Sequence, residues 1–271
     1  VTLFDSAEAA ATRGLAIAPA GNAVLRGQLL AMRARTRFNR AVWRKLNPSG
    51  RAPANPLVDD AGAREDARAA LPLLGSDGRL RLEPQPGMGY GNCFLPSCVN
   101  SRREVRFNPA HATYNYTTRV LTVALRDPIS QQPDPALAFL INEFVAGNLL
   151  SPVTVTGSRE MLLILAEGAL ARGNTTEFAQ HLNQLRALHQ LPPWTGAAGQ
   201  PSARDVLVHA RLVNLYLQGR RLNDMYRFGI VDPEWPANSD AAQCPGSLFP
   251  ISNSERLANP AADASQPVCG R

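Results

Sequence analysis

The chain has 271 residues, 45% hydrophobic and 18% charged, and a net charge of +6 in which Lys45 is the only lysine. That balance excludes a disordered chain, and no run approaches the ~20 apolar residues of a membrane-crossing helix. The arginines are scattered, without a basic stripe interleaved with aromatics, which argues for no nucleic acid as partner and leaves anionic lipopolysaccharide or an acidic glycan compatible with the charge.

Residues 6–46 read as helix, broken at Gly21-Asn22. Val24, Leu25, Leu29, Met32 and Phe38 give the second segment an apolar stripe. Arg26, Arg33, Arg35, Arg37 and Arg40 are then its solvated face. A proline-rich loop over 47–60 leads to a short helix over 61–74, stopped near Pro72 and Gly75. From Ser76 to Ile129 the pattern changes. Gly and Pro punctuate Glu83 to Asn92, and the Tyr-, Thr- and Val-rich run Thr113 to Leu125 favours short strands or extended loop. Gly87-x-Gly89-x-Gly91 opens no helix and reads as a plain loop rather than a phosphate cradle.

Helix resumes at about 134–147 and at 158–172, where Leu162, Leu165, Ala166 and Ala169 share a face. Gly173-Asn174 provides a left-handed stop. A partner helix follows, lined by Phe178, Leu182, Leu185 and Leu188 and ending before Pro192-Pro193, so the two make a hairpin across which Glu167 and Arg186 could face each other. Ser202 to Gly229 reads as one long helix and as the stretch around which the chain is organised. Ser202 caps it three residues ahead of Asp205, while Val206, Ala210, Val213 and Leu217 form its apolar face. From Asp232 onward Pro, Asn and Ser predict an ordered surface loop.

Cys93, Cys98, Cys244 and Cys269 show no metal-ligand spacing, and no metal site is expected. They permit three disulfide connectivities or four free thiols. Sequence-near pairing, Cys93 with Cys98 and Cys244 with Cys269, is preferred because those segments are short and turn-rich, and it would fit an exported protein.

Three motifs point further. The pattern R-x-x-x-L-x-L-x-G-x-R-x-x-D-M-x-R-F-G, Arg211 to Gly229, resembles the late helix of the SusD/RagB family of outer-membrane nutrient-binding lipoproteins. REMLLILAEGALARGN, Arg159 to Asn174, resembles the helix before it, and Phe249-Pro250-Ile251 with Glu255 and Asn259-Pro260 resembles the closing segment. Where the family commonly carries glutamate, this chain has Ala210, Asn214 and Gln218.

The resemblance implies one mainly α domain over residues 1–271: stacked antiparallel helix hairpins of tetratricopeptide-like, SusD-like form over 6–75 and 134–229. A loop-rich, partly extended excursion over 76–130 and a C-terminal loop segment over 230–271 complete it. In it Glu167, Arg186, Arg211, Arg221, Asp224 and Arg227 are structural-motif residues, with Asp224 and Arg221 or Arg227 held against the closing segment. The resemblance also implies an extracellular location on the bacterial outer membrane and a TonB-dependent, SusC-like transporter as partner. The lipid-modified cysteine expected at such a mature N-terminus is absent, so the front end is expected to be missing.

No catalytic constellation emerges. His111, His181, His189 and His209 form no H-E-x-x-H and flank no G-x-S-x-G. Glu160 and Glu167 share a helix side, but Glu160 lies in the first turn, where the helix dipole favours a carboxylate anyway. No cofactor is expected. Binding is better supported, because Tyr or Trp can lie against the apolar face of a sugar while Asn, Asp or Arg bonds its hydroxyl edge. The candidates are Tyr90 with Asn92, Tyr114 and Trp194. The reading is a non-enzymatic capture protein for glycan or peptide oligomers; a helical-repeat scaffold binding only protein is the alternative, and a polysaccharide-cleaving enzyme ranks third.

Overall fold

A computed structural model describes residues 2–46, 52–84, 97–103 and 105–232. The protein is mainly helical. Helices α1 (Thr2–Ile17) and α2 (Ala23–Leu46) form the first hairpin, α3 (Ala61–Leu74) packs on α2, and strand β1 (Arg79–Leu82) follows. A short π-helical turn at Ser97–Ser101 precedes the hairpin of β2 (Ala112–Asn115) and β3 (Val120–Val123). Next come α4 (Pro135–Ala146), β4 (Val153–Gly157), α5 (Ser158–Ala171), α6 (Thr175–Ala187), α7 (Ala203–Asn214) and α8 (Arg221–Phe228).

The caps explain several starts. Asp60 accepts from the Ala63 amide, Asn174 from Glu177, Ser202 from Asp205, and Asp134 from both Ala136 and Leu137 ahead of Pro135. β1 pairs antiparallel with β4, a strand not foreseen from sequence although Val153-Thr-Val-Thr is β-branched throughout. It feeds directly into α5.

α5 is the true centre of the molecule. Every residue from Ser158 to Ala169 is buried, so one side packs with α2 and α3 and the other with α6 and α7. Met161, Ile164 and Leu165 meet Phe38, Val42 and Ala67 in one core cluster; Leu162, Leu163 and Ala166 meet Phe178, Leu182 and Leu207 in a second. A helix buried all round shows little periodicity, which is why the more amphipathic Ser202 to Gly229 stretch stood out instead. α2 and α3 approach so closely at Gly27 that a Cβ there would lie 2.9 Å from Leu73 Cβ.

Two further expectations are corrected. The arginines of α2 are not a solvated face. Arg33 forks onto Asp66, Arg37 bridges Glu8 and Asp66, Arg40 holds Asp5 and Glu8, and Arg35 donates to the Val155 carbonyl, so they tie α1, α3 and β4 to α2. Nor is Ser202 to Gly229 one helix. After Asn214 the chain turns through Leu217 and Gly219, both with left-handed backbone (φ +61° and +73°), before α8 begins. The turn lays α8 against α2 and is pinned by Arg220, whose guanidinium bonds Glu160, the Gln218 carbonyl and the Val155 carbonyl.

Candidate functional site

The late-helix motif builds a buried ionic clasp. Arg227 of α8 is fully buried and reaches both Glu167 oxygens on α5, with Nη2 to Oε2 at 2.9 Å; its Nε and Nη2 also donate to Asp224 Oδ1 at 3.0 and 2.8 Å. Asp224 Oδ2 accepts from Arg211 Nε of α7 at 2.9 Å. The 56–58 loop joins in, since Glu167 accepts the Val58 amide and Arg227 donates to the Pro56 carbonyl. Both guanidinium groups lie over Phe38. Burial alone would raise the Asp224 carboxyl, but the charges of Arg211 and Arg227 outweigh it and hold it below its ordinary range. Two acids and two arginines balance, so the partners that Arg211 lacks at Ala210 and Asn214 come from α5 and α8. Glu160 is likewise buried against Arg220.

The other motif residues fall differently. Arg186 does not face Glu167. It forks onto Asp127 at 2.8 and 3.1 Å, while Glu167 is taken by Arg227 of α8. Burial would raise Asp127 too, yet Arg186 and the Ser130 amide bring it down to about 2. Arg221 is half-buried, and its Nε makes no hydrogen bond. Asp127, Asp134 and His209 offer ligand atoms within 4.8 Å of one another. Their oxygens are already engaged by Arg186, by the α4 cap and by His209, which leaves no open ligand set.

Of the candidate binding aromatics, Tyr114 lines a cavity of about 560 Å³ over the β2–β3 hairpin, with Val99, Arg103, Phe107, Asn115 and Tyr116 around it. Tyr114 and Tyr116 stand edge to face at 4.8 Å, and the Arg103 guanidinium sits 4.9 Å over the Tyr116 ring. Tyr116 is fixed from below by donating to the Val99 carbonyl, and Asn100 bonds the Phe144 carbonyl at the end of α4. The hairpin loop closes on Asn115, whose side-chain oxygen accepts the Thr117 and Thr118 amides. Phe107 and Ala112 under the cavity share a core cluster with Leu137, Ile141, Phe144, Leu212 and Val213.

Trp194 does not belong to a binding surface. It is 5% exposed, packs edge to face on Phe178 at 5.0 Å and donates its indole N–H to the Pro201 carbonyl, so it anchors the loop after α6. Tyr90, Asn92, Cys93, Cys244, Cys269 and Phe249-Pro250-Ile251 lie outside the described residues. Cys98 is buried and is not a free thiol. Arg103 was missed from the sequence; its only signal is the Arg102-Arg103 pair ahead of the Tyr-Asn-Tyr strand.

Residues 159–262 match the family model described as the SusD family. No curated protein and no solved structure matches the chain significantly. Proteins of the SusD/RagB family are generally binding proteins associated with the outer-membrane surface rather than enzymes. None of the described helices is long and apolar enough to cross a membrane. The matched stretch spans α5, α6, α7 and α8, with the entire Glu167, Arg211, Asp224 and Arg227 clasp inside it. Over residues 159–262 this chain is similar to the SusD family, which is consistent with the C-terminal portion of a SusD/RagB protein.

Proposed function

We propose that this chain is a non-enzymatic binding protein of the outer-membrane surface that captures oligosaccharides and passes them to a TonB-dependent, SusC-like transporter. The family segment supplies the class of function. The observation that carries the site is the tyrosine-lined cavity, whose lining residues Phe107 and Ala112 pack in one core cluster with Leu212 and Val213 of that segment. Tyr114 offers an aromatic surface beside the hydroxyls of Thr113 and Thr117 and the amide of Asn115, the mix of apolar face and polar edge that a sugar ring requires.

The same reading takes residues 1–271 as a single domain, because α2, α5, α7 and α8 meet in one clasp. The absence of turnover rests on Glu160 and Glu167, both held in buried pairs with arginine and so unable to serve as a solvent-facing acid and base.

Incubation with a panel of neutral and acidic oligosaccharides, followed in parallel by calorimetric titration and by assay for new reducing ends, tests the reading. Saturable binding without new ends is expected. Turnover that Glu160→Gln abolishes would replace it with the enzyme reading, and a purified transporter barrel that fails to co-purify with the full-length protein would remove the delivery step.

A further inference from the structure

Resting on the oligosaccharide reading, we infer that the Tyr114 cavity selects acidic oligosaccharides, with Arg103 taking the carboxylate of a uronic acid unit and Arg106 adding to the attraction. Most arginines that pack between helices here are engaged: Arg33, Arg37, Arg40, Arg159, Arg186, Arg211, Arg220 and Arg227 all hold carboxylates. Among the described residues Arg103 and Arg106 line the cavity and hold no carboxylate, and no acidic residue lines it.

Arg103 is also placed rather than loose. Its backbone is left-handed, φ +58°, a conformation that strains a non-glycine residue and recurs at ligand sites. Its guanidinium lies 4.9 Å over the Tyr116 ring, and Tyr116 is itself tethered to the Val99 carbonyl. Stacking engages the flat face of the guanidinium and leaves the N–H donors in its plane, where a carboxylate can meet two of them side by side. A carboxylate held there sits beside Tyr114, whose ring stands at right angles to Tyr116 and can take the sugar face. Arg106, exposed on the same wall, contributes charge that salt can screen.

The experiment uses paired probes with one sugar backbone: tetragalacturonate and tetramannuronate, each against its fully methyl-esterified form, which keeps the shape and removes the charge. Calorimetric titration of the wild-type chain should give at least about tenfold tighter binding of one acid form than of its ester, and the advantage should shrink as sodium chloride is raised. Arg103→Gln should erase that advantage while leaving the melting temperature near that of wild type, since Arg103 is exposed and holds no carboxylate among the described residues. Equal binding of acid and ester, or an acid preference that survives Arg103→Gln, overturns the inference and leaves the oligosaccharide reading intact. Binding only to neutral oligosaccharides of a wider panel overturns it in the same way. No binding to any member of that panel or to either acid overturns both.

Discussion

Glu167 and Arg227 stand 60 residues apart in the chain and meet as a two-pronged ion pair with neither side chain exposed. Around them the ends of α7 and α8, the middle of α5 and the 56–58 loop are fixed at once. A buried ion pair is poor evidence of net stability by itself, since desolvating both charges offsets most of their attraction. Breaking it is another matter, because the surviving charge stays buried without a partner.

Asp224→Ala removes the hydrogen-bonded carboxylate of Arg211 and one of the two that Arg227 holds, leaving Glu167 alone against two buried guanidinium groups. The expected loss is on the order of 3 to 5 kcal/mol, read as a lower urea midpoint with an unchanged slope, while ligand affinity of the folded fraction is retained. A loss of about 1 kcal/mol or less would mark the pair as solvated and remove the clasp from its structural role.

Asp127 gives the protein an acid limit. Its carboxyl ordinarily titrates near 3.8 and in the fold near 2, so Arg186 contributes stability that is fully present above the ordinary value and is lost as pH falls through about 2. Wild type should therefore lose more stability than Asp127→Asn between about pH 5 and about pH 2, although the variant is weaker near neutrality. Parallel pH profiles for the two would contradict the assignment.

Gly219 tests the break between α7 and α8. A Cβ there would meet nothing within 4 Å, so Gly219→Ala adds no clash and exposes only the cost of a left-handed backbone at φ +73°. That cost is about 1 to 2 kcal/mol, measured by thermal melting. A neutral or stabilising result would mean that the segment runs on as a continuous helix.

Trp194 separates core from site. Trp194→Ala should cost about 3 to 5 kcal/mol and leave oligosaccharide affinity of the folded fraction unchanged, because the ring fills the space against Phe178. Lost affinity at unchanged stability would return it to the binding surface.

Local signals in the sequence carried much of the fold. Asp60, Asn174 and Ser202 cap where cap chemistry predicts, and Gly173 takes the left-handed turn (φ +75°) that joins α5 to α6. What local pattern could not show is pairing across distance. Arg33 and Arg40 look solvent-facing along α2 because Asp66 and Asp5 come from other helices. Leu217 adopts a left-handed backbone that no propensity forecasts, so the Arg211 to Gly229 motif read as one helix. The cavity was half legible: Tyr114 stood out as an aromatic in a Thr- and Val-rich run, whereas Arg103 gains meaning only once the chain folds it over Tyr116.

The most direct test of the central claim is calorimetric titration of wild type and Tyr114→Ala with the oligosaccharides that wild type binds. Tyr114 is only partly buried, so the variant should melt near wild type, and losing one aromatic platform should weaken binding by about tenfold or more. Unchanged affinity in a folded Tyr114→Ala protein would contradict the placement of the binding site in this cavity.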